Sequence, residues 1–188
     1  MAFMQENYLL ESESALSIYN AVKDLPIIDP HNHADVAEIA RNANYENMWQ
    51  VFAATDHYVW EVMRKRGVEE RLITGDASPK EKWMELARVM PEVAGNPVFE
   101  WIHLDLRRRF GITDILSSET GEKIWNEGNA KLALPEYTPL ELLKKMNVEV
   151  EKKLGHMVYV SGVSSETNRL WEGWLPDNQF TILEDITV

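Results

Sequence analysis

The chain has 188 residues, of which 45% are hydrophobic and 27% charged, and it contains no cysteine. This length and composition predict a folded protein with one sizeable core or two small lobes, and the absence of cysteine excludes disulfides and thiolate metal sites and favours a cytoplasmic protein. The formal net charge of −12 argues against nucleic-acid and membrane partners, because both attract basic patches. We also expect no secretory leader and no membrane span, since no apolar run approaches about 18 residues.

The first predicted elements are a helix and a short strand that leads into two histidines. Apolar residues at i, i+3, i+4 and i+7 predict a helix over residues 12–23. The apolar run Leu25–Ile28 predicts a strand, and Asp29, Pro30, His31, Asn32 and His33 follow it. Side chains two apart in an extended segment point to the same side. The two imidazoles can therefore aim at one point beyond the end of the strand.

A series of helices follows this strand. Ser78 and Glu81 have the spacing of a capping box, and Thr55 or Asp56 can cap an earlier helix. Three consecutive arginines, residues 107–109, suit the C-terminal end of a helix. The apolar periodicities predict helices over residues 34–41, 45–52, 56–66, 79–90, 97–110, 118–132 and 139–145.

The character of the sequence changes near residue 151. Residues 148–150, 157–160 and 180–183 have the composition of strands, separated by turn-rich sequence. We therefore divide the chain into a helix-rich region, residues 1–150, and a β-leaning tail, residues 151–188.

His31 and His33 are the sharpest candidates for a metal site. Neutral imidazole is the commonest ligand of divalent transition metals, and the end of a strand suits two ligands. The alternative is that both are loop histidines that cap nearby carbonyl groups. A catalytic site usually has three or more protein ligands, and His57, His103, His156 and several Asp residues remain as candidates.

His57 and Tyr58 fall in the first turn of a predicted helix. A helix N-terminus favours negative charge, so it would stabilise an anionic substrate group beside these side chains. The alternative is an aromatic helix start that packs on the core. His103 lies in an apolar helix and is better interpreted as a core histidine than as a ligand. The arginines at 107–109 are better interpreted as surface charge than as a carboxylate clamp.

Several of these motifs together resemble uronate isomerase (glucuronate isomerase) of the amidohydrolase superfamily. The resemblance covers about residues 3–150, and we recognise no family in residues 151–188. It is carried by residues 29–33, 55–60, 63–64, 70–71, 74–78, 95–97, 101–106, 110–112, 124–126 and 146–148.

The resemblance implies a fold, a reaction and site residues. The fold would be α/β and helix-rich: the N-terminal part of a (β/α)8 TIM-type barrel with a large helical insertion after the first strand, the barrel being incomplete in this chain. The reaction would be aldose–ketose isomerisation of a hexuronate sugar, as in D-glucuronate to D-fructuronate. By resemblance His31 and His33 would bind a divalent metal, zinc in our expectation, and His57 and Tyr58 would be catalytic residues facing the substrate.

The chain also departs from the family pattern. Members of the family are more than twice as long, and their later substrate-binding and metal-binding residues have no positional match here. We therefore expect catalysis to be incomplete in this chain alone, with His156 and Asp185 as the remaining candidates for further ligands. Two alternatives stay open: a non-catalytic helical domain that mediates association, and a metal-dependent hydrolase of the same superfamily.

The incomplete barrel leads to a further expectation. A few barrel strands cannot close, so they expose apolar sheet edges. We expect either that the tail strands pair beside Ile27 and Ile28 or that a homo-oligomer covers the edge.

Overall fold

The predicted order of one strand followed by many helices is confirmed. A computed structural model of the chain describes residues 4–29, 35–153, 156–159 and 180–182. Within these residues the α-helices and strands are α1 (Glu13–Val22), β1 (Ile27–Asp29), α2 (Val36–Arg41), α3 (Met48–Phe52), α4 (His57–Lys65), α5 (Pro79–Val89), α6 (Pro97–Phe110), α7 (Gly121–Leu132), α8 (Pro139–Lys145), β2 (Val148–Lys153), β3 (His156–Tyr159) and β4 (Phe180–Ile182). Short 3₁₀ helices span Glu70–Leu72, Met90–Val93 and Pro135–Tyr137. None of the helices in the described part of the chain is long and apolar enough to cross a membrane.

Contacts divide the chain into two units, and the division falls within α1. The first unit comprises Met1–Leu16 and Asn44–Thr138, and the second comprises Ser17–Ala43 and Pro139–Val188. The boundary predicted at residue 150 followed composition and resemblance rather than contacts, and it stays a prediction. Strand β2 runs across that position.

The core of the first unit forms around α5. This helix begins with the predicted capping box: the Ser78 hydroxyl accepts from the Glu81 amide, and the Glu81 carboxylate accepts from the Ser78 amide at 2.9 Å. One face of α5 is fully buried and packs on α3 and α7. Trp83 on that face donates from Nε1 to the Gly121 carbonyl at 3.0 Å. Full burial of a large apolar side chain contributes about 1.5–3 kcal/mol to the free energy of folding, so the buried face of α5 stabilises the first unit.

Among the described residues, the second unit consists of a four-stranded sheet, the C-terminal part of α1 and the short helices α2 and α8. The strand order is β1-β2-β3-β4, with β1 and β2 parallel, β2 and β3 antiparallel, and β3 and β4 parallel. Ile39, Leu143 and Val148 form its buried cluster among the described residues. One of our two expectations was that the tail strands pair beside Ile27 and Ile28. Instead β2 pairs there, and β3 and β4 join the sheet beyond β2.

Several helices begin later than the periodicity predicts. The predicted helix over residues 118–132 starts at Gly121, because the Ser117 amide and hydroxyl bond to the Thr120 hydroxyl and form a turn first. The helix predicted from residue 45 starts at Met48 because the Asn47 side chain accepts from the Gln50 amide at 3.0 Å and caps it.

Candidate functional site

The candidate site lies at the start of α4, in the first unit. Asp56 is its N-cap, and its carboxylate accepts hydrogen bonds from the amides of Tyr58 at 2.8 Å and Val59 at 3.4 Å. Val59 is 2% exposed and fixes this turn to the core. Because neighbouring residues on a helix point in different directions, burial of Val59 leaves His57 and Tyr58 facing solvent.

The exposed residues form an aromatic group. The ring centroids of His57 and Tyr58 are 4.4 Å apart. Trp101 on α6 contacts the Tyr58 ring edge-on, with centroids 5.9 Å apart and an interplanar angle of 68°. Tyr58 is 40% exposed and Trp101 49%. The group therefore offers apolar ring surface together with an imidazole and a phenol, which suits a ligand that has both carbon–hydrogen faces and hydroxyl groups.

The sequence did not identify Trp101 as part of this group. The buried residues of α6 include Val98, Ile102, His103 and Leu106, and Trp101 lies off that stripe. The helical period alone could have placed Trp101 at the surface. It could not have placed Trp101 beside Tyr58, because that contact depends on how α4 and α6 pack.

The N-terminus of α4 does not provide the anion site that was one of the two interpretations of His57 and Tyr58. The amides of Tyr58 and Val59 are already bonded to the Asp56 carboxylate, which also places a negative charge at the positive end of the helix dipole. An anionic group at this helix start would meet that charge, so the carboxylate of an anionic ligand would have to bind away from Asp56. The alternative that His57 and Tyr58 pack on the core is also wrong, since both are exposed.

The predicted metal ligands His31 and His33 lie outside the described residues. The strand before them ends at Asp29 and pairs in parallel with β2, so both histidines follow the C-terminal end of a parallel strand. Two imidazole nitrogens fit a divalent transition ion as part of a donor set. The described residues contain no group of three or more His, Asp or Glu that could hold a metal.

The further candidate ligands were His156 and Asp185. Asp185 lies outside the described residues, and His156 belongs to β3, of which we describe the backbone pairing only.

His103 is a core histidine, as predicted. It is 4% exposed, and both ring nitrogens are bonded. Nε2 accepts from the Leu116 amide at 2.9 Å, so Nδ1 carries the proton and donates to the Phe99 carbonyl at 2.6 Å. Burial lowers the pKa of His103, and the hydrogen bond to Phe99 opposes this only in part. Neither nitrogen is available to a metal.

Arg64 and Arg109 form ion pairs with nearby carboxylates. Arg64 binds both carboxylate oxygens of Glu70, at 2.8 and 2.6 Å, and this pairing, with the Thr74 hydroxyl, lowers the pKa of Glu70 to about 2. Arg109 pairs with Asp105 at 2.9 Å one turn earlier on α6. Burial raises the pKa of Asp105, opposed by Arg109 and Arg108. Arg109 is thus engaged within its own helix.

Solved structures show which class of protein has this helix-rich fold. The match to the crystal structure of uronate isomerase from Thermotoga maritima covers 97% of this chain and 39% of the Thermotoga chain, with a TM-score of 0.77 and 45% identity. The match to the crystal structure of glucuronate isomerase from Caulobacter crescentus covers 83% of this chain and 34% of the Caulobacter chain, with a TM-score of 0.73 and 25% identity. The fold is that of a part of the uronate isomerases.

Sequence comparison gives the family. The model of the glucuronate isomerase family matches residues 1–158. The Thermotoga maritima uronate isomerase is 54% identical over 148 residues, and the Vibrio vulnificus enzyme is 38% identical over 193. The chain belongs to the glucuronate isomerase family, which confirms the resemblance.

The extent of these matches is also informative. The chain spans about a third of the Thermotoga relative, 32% of its length, and 41% of the Vibrio relative. The Vibrio alignment covers 98% of this chain, so it extends into the tail after residue 150, where the sequence alone suggested no family.

Proposed function

We propose that this chain is a uronate isomerase-type protein that carries part of the site for aldose–ketose isomerisation of hexuronates, D-glucuronate to D-fructuronate. Membership of the family supports this reaction class. The observation that supports placing the reaction at a particular site is the exposed pair His57 and Tyr58 beside Trp101. Because the chain spans about a third of the Thermotoga relative, we propose that catalysis is incomplete in this chain alone.

The reaction defines what these residues would do. A proton moves from the carbon next to the aldose carbonyl to the carbonyl carbon, through an enediol-like intermediate. The reaction therefore requires a group that carries the proton and a polar group that binds the two oxygens. The His57 imidazole can donate or accept a hydrogen bond and carry a proton between the two carbons, and the Tyr58 hydroxyl can donate a hydrogen bond to a sugar oxygen. The Trp101 ring would lie against the edge of the site.

We further propose that His31 and His33 hold a divalent metal, zinc being the expected ion. Their donor chemistry and their place after a parallel strand support this. A bound divalent ion supplies Lewis acidity that polarises substrate oxygens. The parallel pairing of β1 and β2 also supports the finer fold proposal, the start of a TIM-type barrel of the amidohydrolase superfamily, and the absence of cysteine supports a cytoplasmic location.

A direct assay tests the reaction. Conversion of D-glucuronate should be measured with and without added Zn²⁺ or Mn²⁺, for this chain and for a chimera in which it replaces the matched region of the Thermotoga maritima enzyme. We expect turnover from the chimera, none from the chain alone above a His31→Ala control, and at least about a hundredfold loss in the chimera for His57→Ala. A folded but inactive chimera, or full activity of the His57→Ala chimera, would contradict the proposal.

A second candidate function is a non-catalytic helical domain that mediates association. The first unit favours this function, because every residue of its large buried cluster lies within that unit, which therefore has a core of its own. Its mark would be a stably folded chain that binds no Zn²⁺ in a calorimetric titration and whose chimera is stable and inactive.

A further inference from the structure

The direction of the Tyr58 hydroxyl is not fixed by its own helix alone. Tyr58 lies in the first turn of α4, and its amide donates to the Asp56 carboxylate at 2.8 Å, which holds the backbone of that turn. A long side chain on a helix has two favoured χ1 rotamers, and these send its far end in different directions. A contact from another element can select between the two.

Trp101 on α6 makes such a contact. The ring centroids of Tyr58 and Trp101 are 5.9 Å apart, and the ring planes meet at 68°. Edge-on packing is directional, because the positive edge of one aromatic ring meets the negative face of the other. His57 also contacts the Tyr58 ring, with centroids 4.4 Å apart, but it precedes Tyr58 in the same turn. The contact with Trp101 is the one that ties the phenol to a second helix.

The position of Trp101 follows from the packing of α6. Val98 and Ile102 on this helix are 4% and 3% exposed, so its backbone is anchored in the core on either side of Trp101. The Asn96 side chain accepts from the Val98 amide at 2.9 Å and begins the helix. Helices α4 and α6 pack on each other within the first unit. Trp101 is therefore carried by the same core that carries the first turn of α4.

We propose that Trp101 is a positioning residue for the isomerisation: its edge-on contact selects the Tyr58 rotamer in which the hydroxyl bonds an oxygen of the hexuronate. The inference rests on the proposed function, because that function is what brings a sugar oxygen to Tyr58. A donor that is already aimed at this oxygen needs no reorganisation during the reaction. A misdirected donor would lower the rate without weakening the fold.

A tryptophan elsewhere in the first unit offers a matched control. Trp125 on α7 contacts the Trp83 ring, with centroids 6.1 Å apart and an interplanar angle of 46°, and it packs partly buried against the same core. Trp125→Leu therefore removes a comparable ring pair away from Tyr58. At the site itself, Trp101→Leu removes the ring, whereas Trp101→Phe retains one and is the conservative variant.

Nuclear magnetic resonance of the full chain measures the rotamer directly. The couplings between the α and β protons of Tyr58 report its χ1 angle, and Tyr58→Phe identifies its signals among those of the six tyrosines. We expect one rotamer in the wild type and in Trp125→Leu, an average of two in Trp101→Leu, and a return towards one in Trp101→Phe. Couplings that are averaged in the wild type, or that Trp101→Leu leaves unchanged, would overturn the proposal.

Kinetics of the chimera with the Thermotoga maritima enzyme test the consequence for the reaction. Trp101→Leu should lower kcat for D-glucuronate by about threefold to tenfold, the effect of losing one aromatic pair. KM should change by less than about twofold, because a loss confined to the transition state lowers kcat alone. Trp101→Phe should recover most of the loss. In a Tyr58→Phe background Trp101→Leu should lower kcat no further, because no hydroxyl is left to position.

Three kinetic results would overturn the proposal. One is an equal loss of kcat in Trp101→Leu and Trp125→Leu, which would mean that the ring only stabilises the fold. Another is a loss that persists in the Tyr58→Phe background. The third is a raised KM with unchanged kcat, which would make Trp101 a substrate-binding residue. A chimera without turnover would contradict the proposed function instead, and the Tyr58 couplings in the full chain would then decide the positioning.

Discussion

His103 makes the stability of the protein depend on pH. The buried ring is neutral in the folded state, with both nitrogens bonded and a lowered pKa, whereas the unfolded chain takes up a proton near pH 6.5. The unfolded state therefore binds more protons as the pH falls, and folding loses stability below about pH 6.5, by at most about 1.4 kcal/mol per pH unit. Above this range the contribution is fully present.

His103→Gln should remove that dependence. We expect the variant to lose about 1–3 kcal/mol at pH 7.5, because the Phe99 carbonyl or the Leu116 amide loses its hydrogen-bond partner. Its free energy of unfolding should then change less than that of the wild type between pH 7 and 5, measured by urea denaturation. His57→Gln, at an exposed histidine, is the matched control. Equal changes of slope in the two variants would contradict the assignment to burial at His103.

Gly128 allows close packing of α7 against Met48. A Cβ at this position would overlap the Met48 side chain and come within 2.8 Å of its Cγ, and Met48 is fully buried. Alanine favours a helix by up to about 1 kcal/mol over glycine, but forcing atoms into a packed core costs about 1–3 kcal/mol. Because Met48 is fully buried and its side chain has no solvent-exposed space to move into, we expect Gly128→Ala to destabilise the chain by about 1 kcal/mol in thermal unfolding.

A double-mutant cycle identifies the cause of that loss. In a Met48→Ala background the overlap is gone, so Gly128→Ala should be neutral or stabilising through helix propensity. If the two substitutions instead destabilise additively, the overlap with Met48 is not the reason.

Among the helices, α4 depends on its N-cap for the geometry of the candidate site. Asp56 bonds the amides of Tyr58 and Val59, and this turn carries the His57 and Tyr58 rings. Asp56→Ala should cost about 1 kcal/mol in urea denaturation and speed amide exchange in the first turn of α4, whereas Asp56→Asn, which keeps the accepting oxygen, should stay within a few tenths of the wild type. Equal losses would mean that the charge, and not the hydrogen bond, is what matters.

Elements with local signals could be predicted from the sequence. The capping box of Ser78 and Glu81 begins α5 as expected, and Asn96 and Gly111 bound α6. The predicted starts of α7 and α3 were too early. Side chains near Ser117 and Asn47 bond backbone amides at these points and delay the helix, which periodicity does not show. Propensity and period describe the interior of a helix better than its ends.

The candidate site could be predicted only in part, for a different reason. His57 and Tyr58 are adjacent in sequence, so the sequence alone identified them as a candidate pair. Trp101 joins them through the packing of α4 and α6, which no local pattern encodes. The partners of His31 and His33 pose the same problem, since metal ligands come together from distant parts of a chain.

At the scale of the molecule, the described residues of the two units differ in how much apolar surface they bury. Among the described residues, the first unit has a large buried cluster around Trp83 and Leu86, while that of the second consists of Ile39, Leu143 and Val148. Local opening costs less free energy where fewer apolar contacts must break. Amides of β1 and β2 should therefore exchange with deuterium at least about tenfold faster than those of α5 in hydrogen-exchange mass spectrometry. Equal protection would mean that the second unit opens only when the first unfolds.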